Sequence, residues 1–166
     1  MKILLVYTNI NGYHQDGYAD GIAIMMAVTK KAGHDIRYLR IFEKSDYSIV
    51  DKTVKEFKPD VVGFTSVSSQ FSAVADLTNI VKKISPKIIN VCGGVHPTLY
   101  PQCVLENKSI DLVFIGDSEF PFLEFLEKLK NNQSWIDCDN IAYNDNGKLK
   151  KNKLRPLLNN EELERL

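Results

Sequence analysis

The chain lacks the net charge that would draw it to another polymer, since Lys plus Arg and Asp plus Glu both total 21. A phosphate-backbone partner needs a basic stripe, so no nucleic acid is expected among its partners. Cysteine is also sparse. Cys92, Cys103 and Cys138 are too few and too scattered for a disulfide scaffold, and no C-x-x-C or metal-type Cys/His cluster accompanies them. The reducing cytoplasm is the expected compartment, and Cys92, inside a hydrophobic run, reads as a small core residue. Long apolar runs are missing as well. The opening Met1-Lys2-Ile3-Leu4-Leu5-Val6-Tyr7 breaks at Thr8-Asn9, too short for a signal-peptide core or a membrane span. It reads as a first β-strand, and no membrane partner is expected.

What is present is a repeated alternation of short apolar runs and helical patterns in 166 residues, the size of one ordinary domain. Strands are expected at 2–7, 35–41, 60–65, 87–92 and 111–115. Four of these are nearly continuous apolar runs, as parallel strands covered on both faces should be. The run at 35–41 alternates instead, which places it at an edge. Helices are expected at about 19–32, 46–57, 70–84, 101–107 and 119–131, from apolar residues at three- and four-residue spacing. Ile22, Met25, Met26 and Thr29 share a face of the first, which Gly33 ends, and the two methionines read as core filler. His34, just past that glycine, is placed to meet the negative end of the helix.

This order implies an α/β domain: a flavodoxin-like, doubly wound, five-stranded parallel sheet in the order 2-1-3-4-5, with right-handed crossovers. Its ligand crevice should lie between the loops that follow the first and third strands. That domain is expected over residues 1–131. A hairpin appendage follows over 132–151, marked by Asn144-Asp145-Asn146-Gly147. The polar stretch 152–166 reads as a linker to a further domain.

The loops exclude the commoner α/β ligands. The first, Thr8-Asn9-Ile10-Asn11-Gly12-Tyr13-His14-Gln15-Asp16-Gly17-Tyr18, lacks the G-x-G-x-x-G of dinucleotide binding, and no G-x-x-x-x-G-K-[ST] occurs anywhere. A phospho-receiver needs an Asp after the third strand, where Phe64-Thr65-Ser66 stands, and a flavodoxin needs a first loop richer in hydroxyls. The most telling stretch is 88–98, Ile-Ile-Asn-Val-Cys-Gly-Gly-Val-His-Pro-Thr. A buried-type strand runs there into Gly93-Gly94 and a rigid His96-Pro97-Thr98 loop. Two adjacent glycines at a strand's carboxyl end let a ligand lie directly on the backbone.

A long first loop, hydroxyls after the third strand and Gly-Gly after the fourth together resemble the cobalamin-binding fold. In that family the first loop carries Asp-x-His-x-x-Gly, with the His on cobalt. The pattern aligns with Asp16-Gly17-Tyr18-Ala19-Asp20-Gly21, so Tyr18 stands where the His belongs. The family's Ser-x-Leu corresponds to Thr65-Ser66-Val67, with Ser69 as the further hydroxyl, and its Gly-Gly to Gly93-Gly94. His14 is an out-of-register candidate for the missing ligand.

Gly93-Gly94-Val95-His96-Pro97-Thr98, the later Gly116-Asp117-Ser118-Glu119 and the Arg155-Pro156-Leu157 stretch further resemble the amino-terminal domain of cobalamin-dependent radical S-adenosylmethionine enzymes. These include the anaerobic magnesium-protoporphyrin monomethyl ester cyclase and many methyltransferases. Their usual Gly-Glu-Gly-Glu is altered here at Asp117 and Ser118.

The resemblance implies a cobalamin-binding domain whose nucleotide tail passes Gly93 and Gly94. Thr65, Ser66 and Ser69 would face the tail, with Val67 and Val95 flanking and Gly21 at the motif glycine. Gly116 would border the tail's far end, and Tyr18 would lie beneath cobalt without ligating it. His96 either contacts the corrin's amide rim or braces the Pro97 loop. The iron–sulfur cluster and S-adenosylmethionine would belong to a carboxyl-terminal radical domain, because no C-x-x-x-C-x-x-C occurs here and this chain offers no catalytic residue of its own. The alternative is a cofactor-free domain of the same fold, acting as an interaction or substrate-docking module.

Overall fold

The computed structural model describes residues 1–10 and 20–164. Five parallel strands, β1 (Lys2–Thr8), β2 (Asp35–Ile41), β3 (Val61–Thr65), β4 (Ile89–Gly93) and β5 (Leu112–Phe114), lie in the order β2-β1-β3-β4-β5. The alternating strand β2 takes the edge, as its pattern predicts. The expected five-strand sheet needs correction, however. The hairpin β6 (Ile141–Asp145) and β7 (Lys148–Lys151) adds antiparallel to β5, giving seven strands among the described residues. The reason is burial. Ile141 and Ala142 are fully buried and pair with Phe114 and Val113, which would otherwise form an open edge.

Alternate residues of each strand feed two cores, as the two-residue period requires. Leu4 and Val6, with Val62, Phe64, Cys92 and Val113, face the helices α2 (Tyr47–Phe57), α3 (Phe71–Ile84) and α5 (Pro101–Leu105). Ile3, Leu5, Val61, Val91, Leu112 and Phe114 face α1 (Asp20–Lys31) and α6 (Glu119–Lys130). Each helix is built from its apolar spacing. Val50, Val54 and Phe57 bury one stripe of α2, and Val74, Leu77 and Val81 one stripe of α3. Pro121 in the first turn of α6 precedes buried Phe122, Phe125 and Leu126. Gly33 ends α1 at φ +82, donating its N–H to the Lys30 carbonyl at 2.9 Å. His34 then caps the corner, 3.4 Å from the amino terminus through Nδ1.

Two further elements refine the expected boundaries. The stretch read as a rigid loop at His96-Pro97-Thr98 is a short helix, α4 (Val95–Leu99), because Gly94 turns the chain at φ +98 and frees the next residues to coil. In the carboxyl-terminal stretch, α7 (Asn160–Leu163) carries a capping box between Asn159 and Glu162, and Glu162 pairs with Arg155 at 2.6 Å. No helix among the described residues is long and apolar enough to cross a membrane.

Candidate functional site

The site follows from which helices share a face. The right-handed crossover from β1 to β2 places α1 on one side of the sheet, and α6, after β5, packs on the same side. There α1 contacts β1 and β2. On α6, Phe122 and Phe125 pack edge-on against Phe114 of β5, with centroids 5.5 and 5.8 Å away. Between them lie β3 and β4, and there the sheet surface is hollow. Register puts Leu5, Gly63 and Val91 in one row on this face, and Tyr7, Thr65 and Gly93 in the next. Gly63 and Gly93 are therefore diagonal neighbours without side chains, and they form a trough.

The trough opens into a cavity of about 210 Å³ lined by Leu5, Ile22, Met25, Val91, Phe114 and Phe122 around the glycines. A Cβ on Gly63 would come within 2.7 Å of Leu5 Cδ2 and 3.5 Å of Val91 Cγ2, so the tip of Leu5 lies over Gly63, whereas a Cβ on Gly93 would meet nothing nearer than Phe114 Cβ at 4.0 Å and the floor is open there. Pockets that enclose a whole drug-sized ligand begin at about 300 Å³. This cavity is therefore too small to enclose a macrocycle.

The mouth is set by two positive-φ glycines. Gly94 has φ +98, and a Cβ there would meet Thr65 Oγ1 at 2.7 Å and the Ser66 carbonyl at 2.9 Å. The Ser66 N–H donates to the Gly93 carbonyl and the His96 N–H to the Ser66 carbonyl, both at 2.9 Å, which extends the β3–β4 ladder into the loops. Gly116, at φ +67, donates its N–H to Thr98 Oγ1 at 3.0 Å, and Thr98 Oγ1 donates to the Gly94 carbonyl at 2.8 Å. One threonine thus joins the two glycine turns. Below them, Asn140 donates to the Ile115 and Asp117 carbonyls at 2.9 and 2.7 Å and accepts from the Arg155 N–H at 2.8 Å.

Of the residues singled out from sequence, Gly21, Thr65, Gly93, Gly94 and Gly116 come together on this cavity. Ser66, Val67, Ser69, Val95 and His96 do not line it. The buried Ser66 hydroxyl donates to the Val67 carbonyl at 3.0 Å, Val67 is half-buried, Ser69 is exposed on a turn, and Val95 is exposed on α4. The His96 ring is buried between Phe71 and Tyr100, with centroids 4.7 and 5.7 Å away. Its Nδ1 shares a hydrogen bond with Ser68 Oγ at 3.0 Å. Burial holds its pKa below the usual imidazole value. Tyr18, with His14, Asp16 and Gly17, lies outside the described residues.

Sequence reasoning missed Gly63, whose signal was a glycine inside an otherwise apolar strand. It also took Met25 for core filler only, whereas Met25 packs on the core and lines the cavity wall. A third omission is Gln70, buried after β3. Its side chain accepts from the Ile10 N–H at 2.9 Å and donates to the Ile10 carbonyl at 2.8 Å, fixing where the first loop begins. Cys92 faces the opposite core, and burial pushes its thiol up to about 12, far from any thiolate chemistry.

An apolar, glycine-floored cavity thus lies at the carboxyl ends of parallel strands, the place where open α/β sheets bind their ligands. The B12 binding domain model matches residues 8–126, and the chain belongs to that family. It is 28% identical to the cytidylyl-2-hydroxyethylphosphonate methyltransferase of Streptomyces wedmorensis, over 95% of this chain and 34% of that protein. To the anaerobic magnesium-protoporphyrin IX monomethyl ester cyclase of Rubrivivax gelatinosus it is 27% identical, over 86% of this chain and 28% of the cyclase. The chain thus spans about a third of the length of these relatives or less.

Among solved structures, the radical S-adenosylmethionine methyltransferase TsrM of Kitasatospora setae, with cobalamin and a [4Fe-4S] cluster bound, superposes with a TM-score of 0.80. The match has 14% identity and covers 98% of this chain and 30% of that one. The cobalamin-dependent S-adenosylmethionine radical enzyme OxsB, with aqua-cobalamin bound, gives 0.81 at 15% identity, over 94% of this chain and 22% of that one. At these identities the likeness is one of fold.

Proposed function

We propose that the domain binds cobalamin with the nucleotide tail lowered into the Gly63–Gly93 trough and the corrin held above the Gly94 and Gly116 turns. The carrying observation is the diagonal pair of glycines, which leaves a flat, apolar cavity sized for the tail's bicyclic base. The open space over Gly93 also weighs against the cofactor-free alternative, for which side chains filling it would be expected.

Within this reading each residue has a task. Gly93 would admit the ring to van der Waals contact with the sheet, Gly63 makes room for the tip of Leu5 beside it, and Phe114 and Phe122 would flank the ring with aromatic surface. Thr65, at the mouth, offers a hydroxyl to the ribose. Thr98 keeps the two turns at a fixed spacing, and His96 braces α4. With Tyr18 in place of the motif histidine, that position would offer cobalt no imidazole, and a neutral phenol would be a poor substitute. When bound, cobalamin supplies methyl transfer or electron transfer at its upper face to a radical S-adenosylmethionine domain of a longer protein.

Titration with hydroxocobalamin tests this. Saturable binding is expected, with the absorption spectrum of the cofactor freed from its own lower base. An unchanged spectrum at tens of micromolar protein would overturn the reading.

A further inference from the structure

We infer that the carboxyl-terminal strap, residues 152–164, positions the mouth of the cavity, so that strap docking and cobalamin binding strengthen each other. This rests on cobalamin binding at that mouth and adds a second part of the chain to it. Leu154 and Leu157 of the strap are exposed, so apolar burial does little to hold it. Its hold is polar. The Asn152 amide donates to the Ile136 and Cys138 carbonyls at 2.8 and 2.7 Å. Arg155 lays its guanidinium over the Phe120 ring, 4.8 Å from the centroid, and pairs with Glu162 at 2.6 Å. The other Glu162 oxygen accepts from the Asn159 N–H at 3.1 Å, which folds the strap back on itself.

Two links run from strap to mouth. Gly116, Asp117, Ser118 and Glu119 line the cavity, and Phe120, the ring under Arg155, is the next residue. Asn140 is the second link, buried and left-handed at φ +60. Its side chain donates to the Ile115 and Asp117 carbonyls on the mouth side and accepts the Arg155 N–H on the strap side. Its backbone repeats the pattern, accepting from the Ile115 N–H at 2.7 Å and donating to the Lys153 carbonyl at 2.9 Å. Opening the strap strips Asn140 Oδ1 of this donor and frees the amide to rotate away from the Gly116 turn. A segment held so lightly opens locally, well short of global unfolding. A ligand that orders the turn therefore closes the strap, and the closed strap raises affinity by the same factor.

Hydroxocobalamin titration of variants tests one direction, and backbone hydrogen exchange of the strap tests the other. Coupling between sites commonly spans about 5–150-fold, and one amide plus one ring place it at the low end. Arg155→Ala should weaken hydroxocobalamin binding about fivefold, Glu162→Ala likewise, and the double variant no further than either alone. Saturating hydroxocobalamin should slow exchange across 152–164 of the unaltered protein by about the same factor. If a variant fails to fold by circular dichroism, exchange on the unaltered protein decides. Unchanged affinity in folded Arg155→Ala, or strap exchange indifferent to the ligand, would overturn the inference and leave cobalamin binding standing. If hydroxocobalamin does not bind at all, the proposed function falls, and exchange over Gly116–Phe120 in ligand-free Arg155→Ala decides the inference alone. There, exchange about fivefold faster supports the link between strap and mouth, and unchanged exchange overturns it.

Discussion

Gly94 shows how much one missing methyl can govern. Its φ of +98 is a region that other residues enter at a cost of about 1–3 kcal/mol, and the added carbon would also overlap Thr65 and Ser66. Gly94→Ala is therefore expected to lower stability by at least that much in urea denaturation and to weaken cobalamin binding in the same preparation. His34 and His96 carry a different consequence. Burial depresses both pKa values below 6.5. Between the folded and unfolded pKa the unfolded chain binds more protons, so stability is full above 6.5 and falls as the pH drops toward the folded values. Thermal midpoints should decline from about pH 7.5 to about 5.5, and His96→Gln should flatten that decline.

At the scale of elements, the hairpin and the glycine turns depend on each other through Asn140. Its side chain satisfies the Ile115 and Asp117 carbonyls and receives the Arg155 N–H, while its own backbone bonds Ile115 and Lys153. Asn140→Ala removes the amide that holds the Gly116 turn, and a loss of about 1–3 kcal/mol is expected from unsatisfied buried groups. Chemical denaturation measures it. Apolar runs and Gly-Gly made most strands, helices and the mouth of the site legible from residues alone. The docking of the hairpin was not legible. Ile141-Ala142 is too short a run to announce which edge it covers, and a hairpin signal is local. Gly63 stayed hidden for a related reason: a single glycine in a strand reads as weakness until register shows Gly93 diagonally beside it.

For the whole molecule, the parallel order β2-β1-β3-β4-β5 was legible because alternating strands and helices leave few topologies, and β2's own alternation fixed an edge. That order leaves β3 and β4 thinly covered on the α1–α6 face, so the cavity is a product of topology before it is a product of any side chain. A ligand seated there binds the folded chain alone. At a hundred times its dissociation constant it should add about 2.7 kcal/mol. For a domain of this size that corresponds to a rise of about 5–11 °C in the thermal midpoint, which differential scanning fluorimetry with and without hydroxocobalamin can read.

The outermost strand of the hairpin has a bearing on behaviour in concentrated solution. β7 reads Lys148-Leu149-Lys150-Lys151, is exposed throughout and forms one margin of the sheet, while the other margin, β2, shows Asp35 and Arg37 to water. Charged margins repel the edge-on stacking by which sheets recruit further copies of themselves. Replacing Lys148, Lys150 and Lys151 with valine would turn a guarded border into a template. Light scattering on warming should then rise well below the unfolding temperature, a fate from which three lysines protect a neutral chain.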